Sequence, residues 1–239
     1  MKKRIFLALA VVLGGTALLV NSCKKDDTTA PVVTLNGSDL TLSLNNTAPS
    51  DPGASADDGS TVTSTWSSTN PNMNLAGTYT ITYSATDGAG NTGSATRTVT
   101  VKNDAAYLNG TYNITETPGT PPSNQWVQTV TASSTVNNLL TFSKFANYAN
   151  NSGITAKVVP GSTTYVVLYP ASQTASDVGT SPYDCNHTFA SNGNGTIPVV
   201  LSGGKWTFSI KFTDTVTSGI GASCATTGAV AYEDGFQQQ

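Results

Sequence analysis

The run Trp206-Thr207-Phe208-Ser209-Ile210-Lys211-Phe212 sets a large apolar side chain at every second position, with Thr, Ser or Lys between them. Only an extended strand with one buried and one wet face satisfies a period of two. The same period runs through Asp39-Leu40-Thr41-Leu42-Ser43-Leu44, residues 79–85 and residues 98–101, and no stretch carries a helical period of useful length. The fold class is therefore all-β. Charged residues are 10% of the 239, against roughly 25% in an average globular protein, so the wet faces are built largely from uncharged Thr, Ser, Asn and Gly. A net charge of −3 leaves no basic surface to neutralise phosphates and excludes an electrostatic nucleic-acid binder. His187 is the one histidine, which excludes a site built on several. The length suits two small domains or one large one.

Lys2, Lys3 and Arg4 precede an apolar run over residues 5–20, which ends at Asn21-Ser22-Cys23. Basic flank, short apolar core and small residues identify residues 1–22 as a secretory signal peptide. A spanning helix needs about 20 apolar residues, and no later stretch approaches that. Leu19-Val20-Asn21-Ser22-Cys23 resembles the lipobox of bacterial lipoproteins, although Asn21 departs from the usual pattern. The resemblance implies acyl chains on Cys23, which partner the membrane, and a linker over residues 23–30. Lys24-Lys25-Asp26-Asp27 is similar to the export tag of Bacteroidetes surface lipoproteins, implying an outer-membrane, outward-facing location; a solvated spacer is the alternative. Loss of residues 1–22 leaves 8 Lys and Arg against 14 Asp and Glu, a net charge of −6.

With Cys23 acylated, Cys185 and Cys224 are the remaining thiols, and in an oxidising compartment one disulfide is their most economical use. Closing a loop of about 40 residues corresponds to about 4 kcal/mol in the chain-entropy account. The competing reading is a Cys185–His187 catalytic pair. Positions i and i+2 share a strand face for any two residues, so spacing alone does not support it.

Four stretches carry a second resemblance: residues 31–37, residues 51–58, Gly77-Thr78-Tyr79-Thr80-Ile81-Thr82-Tyr83-Ser84-Ala85-Thr86-Asp87-Gly88-Ala89-Gly90-Asn91, and residues 95–101. Together and in this order they resemble the bacterial surface Ig-like domain family, departing from it over residues 58–65. The resemblance implies a β-sandwich over residues 31–101 that serves as a spacer and contact module. Trp66 is the expected large core residue, and residues 87–91 read as a hairpin turn. Asp51, Asp57, Asp58 and Asp87 admit a Ca²⁺ reading through their carboxylates, but Asp-Pro and Asp-Gly pairs are common turn formers and no EF-hand spacing is present. No metal or cofactor is expected.

After a polar join at Lys102-Asn103-Asp104, residues 105–239 read as a second domain. Its expected strands are 110–117, 125–133, 138–145, 154–159, 163–169, 185–190, 195–201, 205–213 and 223–232. Antiparallel neighbours in sequence order need closure or a second layer to protect their edges, which gives a meander barrel or sandwich. Residues 110–115, 130–138 and 142–148 resemble the small lipocalin-like β domains of Bacteroidetes lipoproteins.

Three functions compete for this domain. A binding module would stack a glycan, or dock a surface protein, on flat rings, with Trp126, Tyr148, Tyr165, Tyr169 and Tyr183 as candidates. Trp206 is assigned to the core because it shares a face with Phe208, Ile210 and Phe212. A purely structural component of an outer-membrane complex is the second reading. A glycan hydrolase, the third, needs two carboxylates about 5–10 Å apart, and Glu116 with Asp214 is the least implausible pair. Asp27-Thr28-Thr29 and Asp214-Thr215-Val216 are similar to the short O-glycosylation sites of Bacteroidetes exported proteins, with Thr28 and Thr215 as acceptors. The overall expectation is a non-enzymatic lipoprotein. Accordingly, Cys23→Ala is expected to leave the chain uncleaved or release it from the membrane fraction; normal processing and attachment of the variant would refute the anchor.

Overall fold

A computed structural model describes residues 26–117, 125–145, 153–162, 164–176, 184–192, 198–220 and 230–239. The expectations for Cys23, Tyr148, Tyr183 and Cys224 fall outside these residues, so the Cys185–Cys224 pairing also does. The architecture is all-β. An N-terminal small β-sandwich precedes a nearly closed antiparallel β-barrel. By internal contacts the chain divides into two compact units, the first holding residues 1–36, 53–63 and 83–95, the second residues 37–52, 64–82 and 96–239.

The sandwich consists of a two-stranded sheet, β1 (Val33–Leu35) with β3 (Ala54–Ala56), and a four-stranded one. The latter runs β2 (Leu40–Ser43), β6 (Thr92–Lys102), β5 (Gly77–Thr86), β4 (Val62–Ser64), with β2 parallel to β6. Its interior is Leu44, Ile81, Tyr83, Ala85, Val99 and Val101, the alternate positions of the period-two runs. Trp66 is only half-buried, contrary to expectation: it lies past the end of β4, in a turn where its N–H donates to the Ser64 hydroxyl. Arg97 is buried instead, its guanidinium donating to the Ser38 carbonyl. Residues 87–91 form the expected turn, with Asp87 accepting the N–H groups of Ala89 and Asn91, both at 2.9 Å. Gly93 admits no side chain, because a Cβ there would sit 1.8 Å from the Pro31 carbonyl oxygen.

The barrel strands are β7 (Gly110–Thr117), β8 (Gln125–Ala132), β9 (Leu139–Phe142), β10 (Thr155–Val159), β11 (Tyr165–Leu168), β12 (Ser172–Ser176), β13 (Asp184–Ser191), β14 (Val200–Ser202), β15 (Lys205–Ile220) and β16 (Val230–Gln238). Their order is β11-β10-β9-β8-β7-β16-β15-β13-β12, with β14 also paired to β15. The two end strands are consecutive in sequence. The Gln173 side chain on β12 latches across the gap: it accepts the Thr155 N–H of β10 at 2.8 Å and donates to the Thr155 carbonyl at 2.7 Å. Inside lie Ile114, Trp126, Val130, Leu140, Phe142, Val158, Val166, Phe189, Phe208, Ile210, Phe212 and Phe236, one continuous core. Phe208 stacks on Phe236 with ring centres 4.4 Å apart.

Several strands differ from expectation: β15 runs on to Ile220 instead of ending at 213, and β9 covers only Leu139–Phe142 of the expected 138–145. The last runs over Val230–Gln238 rather than 223–232, because Glu233-Asp234-Gly235 interrupts the apolar alternation that sequence reading relies on. The strand β12 is too polar, Ser-Gln-Thr-Ala-Ser, to announce a buried face.

The join at Asn103 is a hub. The buried amide donates from Nδ2 to the carbonyls of Ser133 (2.8 Å), Val136 (2.9 Å) and Leu139 (3.3 Å). Its Oδ1 accepts the N–H groups of Ala105 (2.9 Å) and Asn138 (2.8 Å). All these residues lie in the second compact unit. Each buried backbone group left without a partner costs about 1–3 kcal/mol, so Asn103→Ala is expected to lose about 2–4 kcal/mol in urea unfolding. A loss within about 0.5 kcal/mol, the scale of an ordinary surface substitution, would show the hub to be incidental.

Candidate functional site

Alternation along the barrel strands sorts side chains into an interior and an exterior set. The interior set at one end is acidic. Glu116 on β7 stands directly opposite Asp234 on β16, and Asp214 follows Phe208, Ile210 and Phe212 on the inward face of β15. His187 Nδ1 lies 2.9 and 3.0 Å from the two Asp214 carboxylate oxygens, and its ring stacks on Phe189 at 5.8 Å. Burial pushes the Glu116 carboxyl above the usual glutamate range, and the charge of Asp214 adds to the shift. Tyr232, on the same face of β16, is raised by burial and then by the charges of Glu116 and Asp214. The two carboxylates singled out for a hydrolase are thus brought within electrostatic reach. They lie on the inner face of the strands, half-buried, beside Asp234, which is 0% exposed, and His187, which is 4% exposed. Cys185 is buried on this same strand face as His187.

The aromatic candidates separate. Trp126 is 8% exposed, opposite Ile114 and part of the core. A ring packed in this way is largely covered, which corrects its assignment as an exposed platform, although Trp126 also borders the first of the depressions below. Tyr165 on β11 and Tyr169, one residue past its end, stand at either side of outward Val167, because Val166 and Leu168 take the inward positions. Tyr169 is 49% exposed, with Lys157 Nζ 5.0 Å from its ring centre. Trp206 packs half-buried against the core and meets Tyr107 with centres 4.7 Å apart.

The exterior set holds a feature that sequence reading missed. Cross-strand register lines up Gln125, Thr115, Gly235 and Ser209 in one row over β8, β7, β16 and β15. The next row is Val127, Asn113, Gln237 and Thr207. Two adjoining depressions of about 420 and 370 Å³ open here; both include Thr115 and Gln237, and Pro198 and Val200 wall the second. The signal was present as the polar halves of alternating strands, but nothing local shows which polar positions become neighbours.

The acidic turn residues each have a local role. Asp58 accepts the Ser60 N–H (2.9 Å) and hydroxyl (2.7 Å), and these bonds hold it below the usual range. Asp57 accepts the Val32 N–H at 2.8 Å, and Asp51 the Ser64 hydroxyl at 2.8 Å. Among the described residues no group of three or more His, Cys, Asp or Glu could hold a metal ion. Thr28 is exposed, whereas Thr215 is half-buried in the ladder opposite Thr188.

Residues 33–101 match the family of bacterial surface protein Ig-like domains. No curated protein matches the chain. Among solved structures, the lipoprotein BT2262 from Bacteroides thetaiotaomicron is 16% identical, with 87% of this chain and all of that one covered and a TM-score of 0.28. A structure of CBM51-2 in complex with GlcNAc and INT domains from Clostridium perfringens ZmpB is 15% identical, with 87% of this chain and 44% of that one covered and a TM-score of 0.23.

Glu116 tests the interior cluster. A carboxyl raised on folding favours the folded state while protonated and loses that benefit as pH rises through its folded value. Glu116→Gln removes the ionisation, so the variant is expected to be at least as stable as the parent at neutral pH. The difference should close as pH falls below the ordinary glutamate value, as followed by urea unfolding at several pH values. A variant that is less stable by the same amount at every pH would overturn this account.

Proposed function

We propose that this chain is a non-enzymatic cell-surface lipoprotein. Acyl chains on Cys23 hold it on the outer membrane facing outward, residues 31–101 act as an Ig-like spacer, and residues 105–239 bind an extracellular glycan or protein. A disulfide between Cys185 and Cys224 would tie β13 to the segment before β16. One observation carries the reading: the barrel strands turn Glu116, Asp214, Asp234 and His187 to the inner face and set amides and hydroxyls on the outer one. An exterior of this kind suits neutral partners. Carboxylates on the inner face do not flank a scissile bond in a polymer bound on the outer face.

The test is a glycan and host-protein array probed with the full chain in detergent, followed by product analysis on every ligand captured. Capture without turnover is expected. Hydrolysis of any captured glycan or peptide, abolished by Glu116→Gln or Asp214→Asn, would replace this reading with a hydrolase.

A further inference from the structure

The two rows of exterior side chains on β8, β7, β16 and β15 form a continuous trough, since the two depressions share Thr115 and Gln237. With β14 on the far side of β15, five strands spaced about 4.8 Å apart give it a length of roughly 19 Å. Its floor is open at Gly235, which has no side chain; a Cβ built there would meet nothing closer than the Thr115 carbonyl oxygen at 3.6 Å. Thr115, Gln125, Ser209 and Gln237 have no side-chain hydrogen-bond partner among the described residues. Asn113 already accepts from Gln239 at 2.8 Å, and the Thr207 hydroxyl donates weakly to the Val200 carbonyl at 3.4 Å. Val127 and Val200, both largely exposed, supply apolar edges.

The chemistry of this lining selects its occupant. No charged side chain lines either depression. The charges on this face stand in the bordering rows: Lys211 and Glu233, which pair with each other at 3.8 Å, on one side, and Lys205 on the other. An ionic ligand would be desolvated there without a counter-charge, which is costly. An apolar partner would strip water from several amides and hydroxyls and return no hydrogen bonds. A chain of neutral sugar rings meets both demands: its hydroxyls pair with the amides and Thr or Ser hydroxyls, and its C–H faces lie on Val127, Val200 and the bare Gly235 backbone. The geometry points to this trough as a binding site for a neutral oligosaccharide, lying across the strands. The inference rests on the proposed binding function and gives it a location and a ligand class.

The probes are neutral tetrasaccharides of glucose, galactose, mannose, xylose and N-acetylglucosamine, with tetragalacturonate as the charged counterpart of galactotetraose. Binding to the full chain in detergent is read by titration calorimetry and saturation-transfer NMR. At least one neutral tetramer is expected to bind, and tetragalacturonate is expected to bind more weakly than galactotetraose. Gly235→Val, which places a strand-favouring side chain at ordinary van der Waals distance from its neighbours, is expected to weaken binding about tenfold or more by filling the floor. Thr115→Val with Gln237→Ala is expected to do the same by removing two hydrogen bonds, each contributing about half to one and a half kcal/mol and so together about tenfold. The outer tyrosines are the internal control, and Tyr165→Ala with Tyr169→Ala should leave affinity unchanged. Binding lost in the tyrosine pair and kept in the trough variants overturns the trough while the surface-binding reading stands. Tighter binding of tetragalacturonate overturns the neutral class. If no tetrasaccharide binds, the inference fails, and the protein half of the array then decides the broader reading alone.

Discussion

The barrel depends on its last strand. β16 pairs with β15 over eight rungs, from Thr207↔Gln237 to Asp214↔Val230, and with β7 over six. It is therefore the seam between the β7–β11 meander and the β12–β15 hairpins, which share no other ladder in the strand order. Without it the sheet would be two open fragments, each with unpaired edges. The seam joins residues more than a hundred positions apart, Tyr112 with Gln238 for example. Contacts of such long range are entropically expensive to close and slow to form. The stacked Phe208–Phe236 pair and the edge contact of Tyr112 with Phe236 supply apolar burial on the inner side of the same seam.

The two faces of this strand also divide the chemistry of the domain. Tyr232, Asp234 and Phe236 point inward, and Glu233, Gly235 and Gln237 point outward. Asp234 is thereby withdrawn from water next to Glu116, and Gly235 becomes the floor of the exterior trough. One residue of register shift would exchange these faces and expose the acids where the amides now stand. The fixed register thus decides whether the exterior of β16 is neutral or acidic.

Asn103 performs a comparable task at the start of the barrel. A three-residue polar join reads locally as a flexible connector, yet its amide closes four hydrogen bonds to the segment around the β8–β9 turn and a fifth with the Ala105 N–H. Asn137 and Asp104 reinforce it: the Asp104 N–H donates to Asn137 Oδ1 at 2.7 Å, and Asn137 Nδ2 donates to Asp104 Oδ2 at 2.9 Å. A side-chain amide suits this position because it offers two donors and an acceptor on a short, stiff stem.

The sequence by itself determined the fold class, most strand positions and the identity of the Ig-like region, because period-two alternation and turn residues such as Asp87 and Asn91 are local signals. It also offered Glu116 with Asp214 as the least implausible pair of acids for a hydrolase. It misplaced the final strand, since an inward Asp234 breaks the pattern by which strands are recognised. Trp126 read as a platform because its type suits one, and only the barrel's closure shows that its ring is inside. The trough had no local signature at all. Gln125, Thr115, Gly235 and Ser209 come from four segments, and only long-range register sets them in one row. What tertiary structure decided, in each case, is which residues from distant strands share a face, a choice made by pairing across the sheet and not by any single strand.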